Sequence, residues 1–171
     1  MTLTDVLVTE AESTYGITGR LFRRLSDDDL AWSPPMGATW MTAGQLLMHC
    51  AAFGCGMAIR GFVTGDWESL IEATTEHDQG LPPGALPSVK TVQEALDRLA
   101  ADRDLALGWI RSAGEASLLS RELAAPWGGP PLPLFQQLLR MIAHLAQHKG
   151  QLFYYLKLMG RDVGTSDLWG A

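Results

Sequence analysis

"LFQQLLRMIAHLAQHKGQLFYYLKLMG", residues 134–160, is the stretch whose reading decides the fold. Leu134, Leu138, Met141, Leu145, His148, Leu152, Tyr155 and Met159 recur at three- and four-residue spacing, the stripe by which an amphipathic helix faces a core. From Pro133 to Met159 the run is about 27 residues, roughly 40 Å of helix at about 1.5 Å per residue. Gly160 stands where a C′ glycine ends such a helix.

Three more helices are read outward from it. Thr91 and Glu94 make a capping box, in which two backbone donors are satisfied reciprocally. It opens a helix with apolar residues at 92, 95, 96, 99, 106, 109 and 110, ended by Gly114. Thr42 and Gln45 make another box, whose helix is expected to run to about Val63. Gly54, Gly56 and Gly61 each weaken it by up to about 1 kcal/mol against alanine, and close approach of a neighbour or ligand is one reason to keep them. A segment from about Thr4 to Leu25 completes the set. It stops before "SDDDLAWSPP", where Ser26 is placed to cap a short acidic turn through Leu30 and the prolines forbid continuation.

Between the second and third helices, "TGDWESLIEATTEHDQGLPPGALPS", residues 64–88, reads as a long connection with a short helix at Trp67–Ala73 and a solvated His77. "LAAPWGGPPLP" is the next joint, and no segment alternates as a strand does. The expectation is an all-α four-helix bundle with a long crossover between helices 2 and 3, residues 1–171 forming one domain.

Composition narrows the function classes. With 47% hydrophobic and 19% charged residues the chain has the balance of a globular protein. A net charge of −6 and a pI near 5.1 give no footprint for nucleic acid or anionic lipid. No basic and apolar leader opens the chain and no apolar run is expected to span a membrane, so a cytoplasmic protein is expected. Cys50 and Cys55, five residues apart on one helix, point well apart around its axis and read as reduced, packed thiols.

The chemistry sits in the histidines. His144 and His148 are four residues apart, which stacks two imidazoles on one flank with Cβ atoms about 5 to 6 Å apart. Either alone is the pattern of a hydrogen-bonded core histidine; together they can share one metal ion. His49, in the apolar "QLLMHCAAF", is the third candidate, and bundle sites are assembled from facing helices in this way. Three protein ligands leave positions open for water or substrate. Gln151, on the flank of the pair, is placed to orient an imidazole or a bound water, and Gln45, one turn before His49, is a weak fourth ligand or outer partner. Trp40, Trp127 and Phe53 are candidates for a pocket mouth and Arg60 for meeting an anion, against the plainer readings of core, rim and solvent.

"PPMGATWMTAGQLLMHCAAF" resembles the segment leading into helix two of DinB-like (DinB/YfiT) proteins, although Met41 separates Trp40 from Thr42 here. "HLAQHKGQLFYYLKLMGRDV" resembles the family's signature of two histidines with three residues between them, a basic residue and Gly-Gln-Leu, with Lys149 where arginine is common. The resemblance implies an up-down-down-up four-helix bundle, usually a homodimer, with a divalent ion on His49, His144 and His148. It also implies, for several relatives, a thiol-dependent transferase or isomerase acting on a small-molecule substrate with a low-molecular-weight thiol cosubstrate. Metal-dependent hydrolysis and a non-catalytic bundle with a structural or sensing ion are the alternatives, and zinc, nickel, iron or cobalt would each suit three histidines.

Overall fold

A computed structural model describes residues 1–53, 55–68 and 85–170. The first helix, α1 (Leu3–Phe22), starts at a capping box in which the Asp5 N–H donates to Thr2 Oγ1 and the Thr2 N–H to Asp5 Oδ2. Ser26 likewise closes on Asp29, through its backbone N–H and its hydroxyl, over the short 3-10 turn Asp27–Asp29. Thr42 and Gln45 form the expected box and open α2 (Ala43–Met48).

The helix expected to run on to Val63 does not. His49–Phe53 winds as a π-turn, and α3 (Gly56–Thr64) starts afresh after Cys55. Asp102, buried across the bundle, stabilises this break. Its carboxylate accepts the Gly56 N–H at 3.0 Å and the Tyr15 hydroxyl at 2.6 Å, satisfying a donor that the interrupted helix leaves open. A Cβ on Gly56 would overlap the carboxylate and carbonyl of Asp102, so close approach of a neighbour does account for this glycine.

The third long helix, α4 (Val92–Ala113), forms half of the box expected for it. Thr91 Oγ1 accepts the Glu94 N–H, while the Glu94 carboxylate accepts from Lys90 N–H instead of Thr91. Gly114, at φ 74°, ends it and a short α5 (Glu115–Ser120) follows. Where no strand was expected, β1 (Glu122–Leu123) pairs antiparallel with β2 (Leu132–Pro133), pinching the proline- and glycine-rich loop that carries Trp127. The last long helix, α6 (Leu134–Leu158), ends ahead of Gly160 in the left-handed conformation, and α7 (Thr165–Trp169) closes the chain. Most of the expected short helix at Trp67–Ala73, and His77, lie outside the described residues.

Hydrogen-bonded pairs fix the helix directions. Glu12 meets Arg111 and Tyr15 meets Asp102, so α1 and α4 are antiparallel. Gly44 bonds Val89 and Gly56 bonds Asp102, so α2–α3 and α4 run parallel, which only a long crossover permits. Met41 lies by Tyr155 and His49 by His144, so α6 is antiparallel to α2–α3. The order is up-down-down-up, and Leu7, Tyr15, Phe22, Leu46, Ile59, Phe62, Ile110 and Leu138 are among the residues that fill the core. Ala43–Thr64 is, against expectation, apolar and long enough to cross a membrane by length and composition, but more than half of it is buried in the bundle and the π-turn divides it.

Candidate metal centre

Imidazoles from two distant stretches of chain meet between α2 and α6. His49 begins the π-turn, and His144 and His148 lie one turn apart on α6. His144 Nε2 is 3.0 Å from His148 Nε2 and 3.4 Å from His49 Nε2. One ligand nitrogen from each ring lies within 4.8 Å of the others. Nitrogens bonded to one ion at about 2.1 Å stand about 3.0 Å apart at a right angle and about 3.4 Å apart at the tetrahedral angle, so the cluster fits a divalent cation. Hydrogen bonding among the rings fits less well, because a single ring N–H on His144 has one in-plane direction and cannot align with both neighbours.

The three rings are half-buried. The sequence pattern put His148 within the core seam of α6; the buried stripe instead passes through Leu138, Ile142, Leu145, Lys149, Leu152 and Leu156, and His148 lies on its flank. That flank faces α2 and the π-turn, which leaves the imidazoles accessible from one side.

A relay of hydrogen bonds sets the tautomer of His148. The Tyr155 hydroxyl donates to the Met41 carbonyl at 3.0 Å and accepts from Gln151 Nε2 at 3.1 Å. Gln151 Oε1 is then the atom facing His148 Nδ1, at 3.1 Å, and a carboxamide oxygen can only accept. His148 therefore carries its proton on Nδ1 and presents a lone pair at Nε2, the form a metal ligand requires. Burial, reinforced by the neighbouring His49 and His144, pushes the pKa of His148 down to about 4, so the ring is neutral at neutral pH.

Gln151, suggested as a residue to orient an imidazole, lies with its Oε1 3.1 Å from His148 Nδ1. Tyr155, read only as core, and the Met41 carbonyl were missed, although positions 148, 151 and 155 already share one helical flank. Gln45 serves the chain: its oxygen accepts the Thr42 N–H at 2.8 Å and its nitrogen donates to the Leu86 carbonyl at 3.0 Å. Lys149 turns away from the imidazoles, donating to the Leu168 carbonyl at 2.9 Å beside the Trp169 ring. The closing "GRDVGTSDLWG" is therefore a docked tail, also held by Arg24 on Asp167 and Arg161 on Asp29.

Arg60 pairs with Asp66 at 3.1 Å. Trp127 lines a cavity of about 360 Å³ with Ala58, Met141 and His144. Trp40 lines a separate one of about 390 Å³ over Tyr155, and the Phe53 side chain lies outside the described part. Cys50 and Cys55 are free and buried, and burial pushes both thiols up to about 12, which leaves them as packing groups.

No curated protein and no solved structure matches the chain. The family model of the DinB superfamily matches residues 10–152, a span containing all three histidines and Gln151, and the chain belongs to that superfamily.

Proposed function

We propose that His49, His144 and His148 hold one divalent ion with open positions, and that the protein is a thiol-dependent transferase or isomerase acting on a small electrophile. The observation that carries this reading is the convergence of three imidazoles at ligand spacing, with the Gln151–Tyr155–Met41 relay holding His148 in the metal-binding tautomer. A divalent ion held there supplies Lewis acidity and lowers the pKa of a thiol or water that reaches it. The chain's part is positional. His49 comes from one helix and the 144/148 pair from another, so the bundle fixes the spacing of the ligands before anything binds. In the transfer, the cosubstrate sulfur forms a bond to the electrophilic carbon. Its proton passes to the neighbouring carbon in an addition, or leaves with the displaced group in a substitution.

The test is metal content by mass spectrometry, on protein purified without a nickel column, for wild type and for His49→Ala, His144→Ala and His148→Ala. Near-stoichiometric metal lost in all three variants is expected, followed by metal-dependent consumption of a low-molecular-weight thiol with an electrophile. Turnover of an ester or amide without thiol would replace the transferase by a hydrolase. Folded wild type that takes up no divalent ion would remove the metal reading.

A further inference from the structure

The cavity beside His144 differs in kind from the imidazole cluster it adjoins. Its described lining is Ala58, Trp127, Met141 and His144, with no Asp, Glu, Lys or Arg among them. Arg60 pairs with Asp66, and Arg121 donates to the Val63 carbonyl at 2.6 Å. Trp127 is 62% exposed, although a ring of that size usually packs. It is nevertheless held firmly. Its ring meets Phe62 and Trp67 edge to face, with centroids 5.7 and 5.9 Å away, and Phe62 is itself fully buried and 4.8 Å from Trp67. The β1–β2 ladder closes the loop behind it, and Gly128 and Gly129, at φ 101° and 106°, make the turn. A rigid apolar wall open to solvent, next to a ligand nitrogen, has the build of a site for the non-reacting part of a substrate.

We propose that this cavity binds the body of an uncharged, apolar substrate about the size of an aromatic ring, packed between Trp127 and Met141 while its reactive end faces the imidazoles. The inference rests on the metal reading above and names the substrate class of that site. An anionic body is disfavoured, since the described lining offers no Lys or Arg to pair with a charge held away from the imidazoles.

The test uses the full chain loaded with cobalt(II), whose visible bands report ligands entering the coordination sphere. Three probes share one donor nitrogen: N-methylimidazole, N-benzylimidazole and the para-carboxylate of the latter. The benzyl compound is expected to bind at least about tenfold more tightly than the methyl compound, the burial of a ring being worth that or more. The carboxylate should lose the gain, as should Trp127→Ala, which keeps its affinity for N-methylimidazole; Trp169→Ala should retain the gain. Equal affinities in wild type, a gain that survives Trp127→Ala, or equal binding of the carboxylate would overturn the inference while leaving the ion in place. Failure to take up cobalt at all would overturn the ion reading and this one with it.

Discussion

At the scale of single residues, the relay behind His148 makes a sharp expectation. Gln151→Leu removes the acceptor for the Nδ1 proton, and metal affinity measured by competition with a chelator should fall about 10- to 100-fold without loss of helicity. Gln151→Glu keeps an acceptor there and should recover most of the affinity. Asp102 gives a second expectation, with a pH signature. Burial raises its pKa, against the lowering effect of the Tyr15 hydroxyl and the Gly56 and Met57 amides. A carboxyl with a raised folded pKa binds protons more tightly when folded. Its contribution is therefore fully present below the unfolded value, about 4, and is lost as pH rises through the folded one. Asp102→Asn abolishes that slope, so urea midpoints of variant and wild type should shift in the variant's favour as pH rises from about 4 to 7. Asp102→Ala strands the Gly56 amide and the Tyr15 hydroxyl and should cost on the order of 3 kcal/mol at pH 7. The two cysteines carry a third expectation. Neither should react with a thiol reagent at pH 8 in the native protein, and both should react once it is unfolded in denaturant.

At the scale of elements, the second helix shows where sequence reading works and where it stops. Thr42 and Gln45 located its start, because a capping box is a local arrangement completed within four residues. Its interruption was not legible. The π-turn at His49–Phe53 and the restart at Gly56 depend on Asp102, 46 residues further on, and no local signal carries that. A trace existed all the same: Asp102 falls inside the apolar stripe between Leu99 and Ala106, where a charged residue calls for buried donors. The histidines were legible because i, i+4 spacing survives any detail of packing, while the flank they occupy was set by how α6 rolls against α2, which periodicity alone misplaced. Gly56→Ala tests the break directly. The added methyl meets Asp102, and a loss of about 1–3 kcal/mol in urea unfolding is expected, against a small gain had the helix been continuous.

At the scale of the whole molecule, the centre ties α2 to α6, elements 95 residues apart at the His49–His144 contact. Bound ion should therefore stabilise the whole bundle, by about 4 kcal/mol when free metal stands at roughly a thousand times its Kd. Thermal unfolding with and without a chelator should show a single transition that moves upward with metal, and no such movement in His49→Ala. The docked tail should matter less. Its exposed ion pairs, Arg24 with Asp167 and Arg161 with Asp29, are each worth less than about 1 kcal/mol. The long parallel connection between the middle helices also has a consequence in time. Synthesis delivers His49 some 95 residues ahead of His144, so the three imidazoles can meet only after α6 has been made. An ion bound as proposed would not guide the early helices to their places; it would enter a bundle already assembled, so folded protein made without the ion should be filled later without unfolding.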